Sequence, residues 1–340
     1  MLNFTKTEIV GLDVGSCAVK AVRLCKEESG YVVAGAGSSE IAVSEENDTH
    51  LNTIKAISEC FESVGSRTKF AVCGLSGPEV AVRNFEFPSL STQEIDGAVL
   101  FEASQVCPFN AAESVVDYHL IPDGDDKTRG ILVAATNTLI ANKVNLAKEA
   151  ALKCVLMDVE GLALLNCFTA LADETEKSTT AILNVGGSGA TVAIIGGDGR
   201  PFVRDMTFAG NDIIKQIAAN IDMSPEDVRS ILSGKSKTAK TELNDSFGKA
   251  CETLVVDVSK TLRYYATQEQ STPVEKIFVC GGFALAKGFV ELLNSRFGIE
   301  AVLWNPFGKI SCDTDPQLKE ICGKKGPALA VAAGLAMRSV

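Results

Sequence analysis

Two short segments of small residues have the composition of phosphate-binding turns. Residues 13–18 read Asp-Val-Gly-Ser-Cys-Ala, and residues 184–189 read Asn-Val-Gly-Gly-Ser-Gly. Each segment lies between two apolar stretches, as the turn of a β-hairpin does. Glycine and serine let backbone N–H groups approach an anion closely, because no bulky side chain intervenes. The sequence therefore predicts two turns that hold a polyphosphate from opposite sides of a cleft.

Charged residues and a third glycine turn extend this candidate site. Asp13 ends a predicted strand, where its carboxylate is suited to hold the hydrated Mg²⁺ of a nucleotide. Lys20 adds positive charge if its strand end reaches the cleft. The turn of residues 280–283, Cys-Gly-Gly-Phe, joins a strand to a helix, where its backbone can lie along an adenosine. The candidate ligand-binding residues are Asp13, Gly15, Ser16, Cys17, Lys20, Asn184, Gly186, Gly187, Ser188, Gly281, Gly282 and Phe283, and Asp13 is the candidate metal residue.

The elements that must position these turns occur twice along the chain. Residues 9–20 run from an apolar strand through the first turn, and Val19–Leu24 and Tyr31–Ala34 are predicted as the next strands. Residues 180–195 repeat the pattern, followed by a strand at Pro201–Arg204. The copies are about 170 residues apart, and halves of that size match the usual range for a domain. The repeat predicts a duplicated domain of the α/β class.

Helical periodicity fills much of the chain between these strands. Thr92 follows Ser91 and precedes Glu94, a capping-box pattern that predicts a helix start. The predicted helices are Thr49–Val64, Thr92–Gln105, Thr138–Leu152, Asn211–Asn220, Pro225–Leu232, Asp245–Gln268 and Ala286–Phe297. Gly130–Ala135 and Lys276–Cys280 are predicted strands that each precede a helix, the order expected of α/β units.

Composition argues against several functional classes. The 340 residues suffice for two cores, and the net charge of −11 opposes binding to nucleic acid or anionic lipid. Two histidines and eleven cysteines without a Cys-x-x-Cys pair do not suggest a histidine or cysteine metal site. No apolar run approaches the roughly 18–20 residues of a transmembrane helix, and Met1–Val10 lacks the apolar core of a signal peptide. A cytoplasmic location is therefore expected.

The ordered motifs resemble those of the actin, sugar-kinase and chaperone superfamily, in which two phosphate motifs precede an adenosine motif. Finer features resemble the PilM family of type IV pilus assembly proteins, relatives of the cell-division protein FtsA. The segments that carry this resemblance are Phe101–Gln105, Cys107–Phe109, Val116–Leu120, Leu132–Ala135, Val155–Glu160, Arg204–Met206, Gly210–Asn211 and Asn305–Phe307. The match is collinear over essentially the whole chain.

The resemblance implies an actin-like ATPase fold, related to ribonuclease H, with duplicated domains, a central cleft and an insertion of the FtsA/PilM type called 1C. The implied subdomains are 1A at residues 1–86 and 158–176, 1C at 87–157, 2A at 177–215 and 272–340, and 2B at 216–271. The family resemblance also implies that the cleft binds ATP with Mg²⁺ as its cofactor.

Three departures from the family pattern reduce the expected activity. Asn184 stands where the family usually carries aspartate, and an amide cannot give Mg²⁺ a full negative charge. Arg229 and Leu232 stand where the resemblance predicts a glutamate and a lysine that contact the nucleoside. ATP binding is therefore expected to be weak or lost, and the chain to be at most a weak ATPase.

The resemblance also implies a partner. PilM-like proteins bind the N-terminal cytoplasmic peptide of a PilN-like inner-membrane protein between subdomains 1A and 1C, which points to residues 80–157. Such a scaffold would be peripheral at the inner membrane through its partner, with no direct insertion and no nucleic acid bound; self-association stays open. The alternatives are an FtsA-like cell-division filament protein and a small-molecule kinase of the same fold. The missing C-terminal amphipathic helix argues against the first, and Asn184 against the second.

Overall fold

The computed structural model describes residues 9–28, 30–42, 48–122, 127–172, 178–197, 199–235, 241–268, 271–312 and 315–338. Within these residues the strands are β1 Val10–Val14, β2 Ala18–Glu27, β3 Gly30–Glu40, β4 Phe70–Leu75, β5 Val80–Pro88, β6 Ser114–Leu120, β7 Lys127–Thr136, β8 Lys153–Val159, β9 Thr180–Val185, β10 Ala190–Ile195, β11 Pro201–Met206, β12 Lys276–Cys280 and β13 Glu300–Leu303. The helices are α1 Thr49–Ser63, α2 Thr92–Val106, α3 Asn137–Glu149, α4 Glu160–Leu171, α5 Gly210–Ile221, α6 Pro225–Leu232, α7 Thr241–Ala250, α8 Glu252–Ala266, α9 Phe289–Arg296, α10 Pro316–Lys325 and α11 Ala330–Ala336. No helix in this part of the chain is long and apolar enough to cross a membrane.

Two five-stranded sheets share one strand order. The first runs β3-β2-β1-β4-β8 and the second β11-β10-β9-β12-β13. In each sheet an antiparallel hairpin leads into two parallel strands, with β1 paired to β4 and β9 paired to β12 in parallel. Strands buried in this way read as continuous apolar runs, which is why the hairpins stand out in the sequence. The predicted duplication is confirmed by this order.

The two halves share a buried apolar cluster beneath the hairpins. Helices α4 and α11 pack against each other there, and α11 also packs on β1. The cluster joins Val72 and Leu164 of the first half to Ile182 of the second half and Leu335 near the C-terminus. A Cβ added to Gly334 would lie 2.2 Å from the carbonyl oxygen of Ala163, so glycine is needed where the helices cross. This close packing fixes the hairpins relative to one another.

A third sheet, ordered β5-β7-β6, is covered on one face by α2. The capping box predicted for α2 is present, since Glu94 accepts hydrogen bonds from the backbone and side chain of Ser91. Helix α3 and strand β8 follow this sheet but pack with the first sheet. The subdomain boundaries at residues 87 and 157 stay a prediction, and the boundary at 176–177 lies outside the described residues.

Two predicted helices differ from the observed ones. Asp245–Gln268 is two helices, α7 and α8, which meet at Cys251. The backbone N–H of Cys251 still donates to Phe247, so the shared apolar stripe continues across the break. The helix predicted from Ala286 begins only at Phe289, because Gly288 has a φ of +84°, outside the helical range.

Candidate functional site

The twelve residues predicted for the ligand site all line one cavity between the halves. Its volume is about 450 Å³, which is within the usual range for small-molecule pockets. The predicted residues on its wall are Asp13, Gly15, Ser16, Cys17, Lys20, Asn184, Gly186, Gly187, Ser188, Gly281, Gly282 and Phe283. We call residues 13–18 the first turn, residues 184–189 the second turn, and the cavity between them the cleft. Their roles toward a ligand stay a prediction.

Each turn is closed by its own backbone. The N–H of Gly15 donates to the carbonyl of Ala18 at 3.2 Å, and the N–H of Gly186 donates to the carbonyl of Gly189 at 2.9 Å. These bonds continue the antiparallel ladders of β1 with β2 and of β9 with β10. The turn residues between them are therefore held by rigid strands, which is the arrangement that suits a preorganised anion site.

The two turns touch across the cleft. A Cβ added to Gly187 would lie 2.5 Å from Cys17 Sγ and 2.7 Å from Ser16 Oγ, so no larger residue fits there. Asn211 joins the turns, because its backbone N–H donates to Gly187 at 2.8 Å and its side-chain amide to Cys17 Sγ at 3.3 Å. Arg229 donates to the Asn211 side-chain oxygen at 3.1 Å. Asn211 therefore holds the two turns together, and Arg229 is in contact with Asn211.

Asp13 and Lys20 form an ion pair in the cleft. The Lys20 ammonium donates to Asp13 Oδ2 at 3.0 Å, and their side chains are only 16% and 8% exposed. Burial alone would lower the pKa of Lys20, but the Asp13 carboxylate offsets this effect, and the pKa stays above its usual value. Lys20 therefore remains charged, and its charge is already neutralised by Asp13.

Two further carboxylates face the cleft, and sequence reasoning assigned neither a role. Glu160 is the first residue of α4, directly after β8, and is 9% exposed. Burial and the nearby Asp13 raise the pKa of Glu160 to about 7, although Lys143 and Lys20 oppose the shift. Both carboxylates occur within segments that carry the family resemblance, and their position at the end of a strand was the available signal.

Asp205 is the second of these carboxylates, and it joins the halves. It accepts hydrogen bonds from the Thr191 hydroxyl at 2.6 Å and from the backbone N–H of Gly77 at 2.7 Å. Burial raises the pKa of Asp205, while these two bonds oppose the shift. Asp13, Glu160 and Asp205 line the same cavity, but no three acidic, histidine or cysteine side chains among the described residues are grouped closely enough to bind a metal ion directly.

The end of the cleft beside the second turn is apolar. Gly281 has a φ of +97°, and a Cβ there would lie 2.4 Å from the carbonyl oxygen of Val185. The Phe283 ring packs edge-on against Phe289, at a centroid distance of 5.1 Å, within the core of the second half. The remaining apolar wall is formed by Ile214, Leu232, Leu285 and Ala286. A flat aromatic base would fit against this apolar wall. The side chain of Leu232 would offer such a base no hydrogen-bond donor.

We expect Glu160→Gln to stabilise the fold, and to do so more strongly as the pH rises from 4.5 to 7. Because the folded-state pKa lies above the usual 4.5, the buried charge costs stability above about pH 7, and this cost fades as the pH falls toward 4.5. The variant should therefore be more stable than the wild type by about 3 kcal/mol at pH 8 and by less than about 1 kcal/mol at pH 5. Urea unfolding at both pH values measures this, with the exposed Glu275→Gln as control. A difference that does not change with pH contradicts this account of Glu160.

Comparison with known proteins gives one family and several structures. The model of a family described as type IV pilus assembly protein PilM matches residues 11–340. A structure described as a PilM-PilN type IV pilus biogenesis complex has a TM-score of 0.81 and 23% identity over 98% of this chain and 99% of that chain. The ethanolamine utilization protein EutJ from Carboxydothermus hydrogenoformans has a TM-score of 0.58 and 15% identity, covering 98% and 90%.

A diol dehydratase-reactivating factor in its nucleotide-free form is also similar, with a TM-score of 0.57 and 10% identity over 96% of this chain and 98% of that chain. At such identities these structures show the fold alone. Together with the repeated strand order, they confirm the predicted α/β, actin-like duplicated fold with its central cleft.

Proposed function

The chain belongs to the type IV pilus assembly protein PilM family, and we propose that it is a scaffold of a type IV pilus-type assembly or secretion complex. In this proposal the cleft binds ATP with Mg²⁺ weakly, and a separate groove binds the N-terminal peptide of a PilN-like inner-membrane partner. The partner would hold the chain peripherally at the inner membrane. The relative of similar fold that is described as a complex with PilN supports the choice of partner.

One observation carries the nucleotide proposal: turns from two duplicated halves, both containing glycine and serine, line the same cavity. The amides of the first and second turns would bind phosphate oxygens, as helix and turn amides do elsewhere. Asp13 would hold Mg²⁺ through water, with Glu160 and Asp205 nearby. When bound, Mg²⁺ neutralises charge on the phosphates. The base would lie against Leu232, at the apolar end.

Weak binding follows from the same residues. Asn184 brings an uncharged amide to the position where a second carboxylate would attract Mg²⁺. The ammonium of Lys20 is engaged by Asp13 at 3.0 Å, so it offers little net charge to phosphate. Calorimetric titration with Mg-ATP, together with phosphate release at saturating ATP, tests this proposal. We expect a measurable but weak affinity with little turnover; tight binding with rapid hydrolysis would contradict it.

The partner groove is proposed where the third sheet meets α3. A second cavity of about 380 Å³ lies there, lined by Glu79, Phe109, Asn110, Glu113, Thr136, Asn137 and Thr138. Positions 137, 140, 141 and 144 share one face of α3 by helical spacing, so Ile140, Ala141 and Val144 form an apolar stripe that continues from this cavity. Val144 is 40% exposed, and Val115 on β6 is 51% exposed.

An apolar stripe beside a partly polar cavity suits a short peptide that carries aliphatic side chains. The cavity rim contains Glu79 and Glu113, which would favour a positively charged group, such as a peptide N-terminus, at that end. The bound peptide would therefore place its amino end near the cavity and its aliphatic residues along α3. Apart from Glu79, the residues of this arrangement lie within the region 80–157 that the family resemblance indicated.

We expect Val144→Asp to weaken binding of the partner's N-terminal peptide by about tenfold, because the apolar contact is lost and a charge is placed against it. Asn145→Asp adds the same charge at the next position of α3, off the apolar stripe, and should leave the affinity unchanged. Fluorescence anisotropy with a labelled peptide measures both. Equal affinities for Val144→Asp and Asn145→Asp would show that the peptide does not bind along the apolar stripe of α3.

A further inference from the structure

Lys143 connects α3 to the first turn. Its ammonium donates to the carbonyl oxygen of Val14 at 3.1 Å, across 129 residues of sequence. Lys143 is half-buried, and its helix packs against β4 and β8 of the first sheet. The ammonium of Lys143 exchanges part of its contact with water for this hydrogen bond and for the attraction of the nearby Glu160 carboxylate. The hydrogen bond to Val14 also bears on the geometry of the first turn.

The carbonyl of Val14 belongs to the same planar peptide unit as the N–H of Gly15. That N–H closes the first turn by donating to Ala18 at 3.2 Å. A hydrogen bond that fixes the carbonyl therefore fixes the direction of the amide on the other side of the plane. Lys143 thus holds the peptide plane from which the first turn starts.

Helix α3 is tied at its other end to the third sheet. The N-terminal end of α3 is capped by the Thr136 hydroxyl, which accepts a hydrogen bond from the N–H of Leu139 at 3.2 Å and donates one to the Glu79 carboxylate at 2.7 Å. The Thr136 N–H also donates to the Glu79 carbonyl at 3.1 Å. Both residues line the second cavity. A ligand in that cavity would therefore act directly on the start of α3.

Neighbouring residues of α3 face the two sites. Val144 lies on the apolar stripe that starts at the cavity, while Lys143, one residue earlier and about 100° around the helix, reaches the first turn. A small rotation or shift of α3 on peptide binding changes the distance from the Lys143 ammonium to Val14. Helix α3 alone is therefore sufficient to transmit a change from the second cavity to the first turn.

We infer that Lys143 is a positioning residue through which α3 sets the geometry of the first turn, so that a peptide bound along α3 alters the phosphate end of the cleft. The part that concerns ligands rests on the proposed function. The part that concerns Lys143 and the first turn does not. By thermodynamic linkage, the peptide and the nucleotide change each other's affinity by the same factor.

Hydrogen exchange of the full-length protein without ligand tests the contact. Lys143→Met should speed exchange of the backbone amides of residues 15–18 by about tenfold, the size expected for one lost hydrogen bond from a charged group. Lys143→Arg should restore slow exchange, because it retains the donor and the charge. Lys148→Met, an exposed change on the same helix, should leave these amides within about twofold of the wild type. If the backbone amides of residues 15–18 exchange at the same rate in Lys143→Met as in Lys148→Met, and circular dichroism shows that both variants are folded, the inference is overturned.

The same measurement with the partner peptide at saturation tests transmission. In the wild type, peptide binding should change exchange at residues 15–18, and in Lys143→Met this change should disappear although the peptide still binds. Binding that leaves the first turn unchanged in the wild type overturns the inference. A peptide that fails to bind the wild type contradicts the proposed groove instead, and the ligand-free comparison then decides the role of Lys143.

Discussion

Asp13→Asn is expected to lower the free energy of unfolding by about 3 kcal/mol, because breaking a buried ion pair leaves an uncompensated charge. The charge left behind is the ammonium of Lys20, whose side chain is only 16% exposed. The same change removes the carboxylate nearest the proposed Mg²⁺. We therefore expect Mg-ATP affinity to fall at least about a hundredfold, equivalent to about 2.7 kcal/mol. Chemical denaturation and calorimetric titration measure the two effects separately.

A double-mutant cycle separates the ion pair from the metal. Lys20→Met should be destabilising by itself, but adding it to Asp13→Asn should restore part of the lost stability, since no unpaired charge remains. Nucleotide affinity should stay low in the double variant, because the carboxylate is still absent. If the two single changes are simply additive, the pair does not act as one unit. If Asp13→Asn binds Mg-ATP as the wild type does, Asp13 has no part in binding.

Asn184→Asp is expected to raise Mg-ATP affinity by about thirtyfold, equivalent to about 2 kcal/mol. The substitution gives the second turn a carboxylate in the same cavity as the carboxylate of the first turn, so that a Mg²⁺ bound there would gain the attraction of a second full charge. In EDTA, which removes Mg²⁺, Asn184→Asp should lower the affinity for ATP instead of raising it. Without Mg²⁺, the added charge lies near Asp13, Glu160 and Asp205 in the same cavity, so binding of free ATP should weaken. Titrations with and without Mg²⁺ measure both effects.

Asn142→Asp serves as the matched control for this substitution. It adds the same charge at an exposed position on α3, away from the cleft, and should change neither titration. A gain for Asn184→Asp that is independent of Mg²⁺ would show that the carboxylate acts by some route other than metal binding. No gain at all would mean that the amide of Asn184 is not the cause of weak binding.

The hairpins were predictable from sequence because their strands are continuous apolar runs interrupted by glycine and serine. That local signal placed both turns correctly, and the repeat of strand order followed from it. The break at Cys251 was not predictable, since the apolar stripe of α7 and α8 continues across it. The late start of α9 depends on the positive φ of Gly288, which isolated glycines in helical patterns do not reveal.

The candidate site was predictable only where its residues lie on the turns. Glu160 lines the cleft from α4, and Lys143 contacts the backbone of Val14 from α3, and their partners are far away in sequence. A carboxylate at the end of a strand is only a weak signal in the sequence, and the folded arrangement is needed to show that Glu160 lines the cleft. Phe283 was predicted at the site from its turn, and the structure packs its ring edge-on against Phe289 in the core of the second half.

A crystal structure of the protein with Mg²⁺ and a non-hydrolysable ATP analogue tests the central claim most directly. We expect the β- and γ-phosphates to lie within hydrogen-bond distance of amides from both the first and the second turn, with Mg²⁺ held through water by Asp13. Phosphates bound outside these turns, or a cleft that stays empty at saturating nucleotide, would contradict the account.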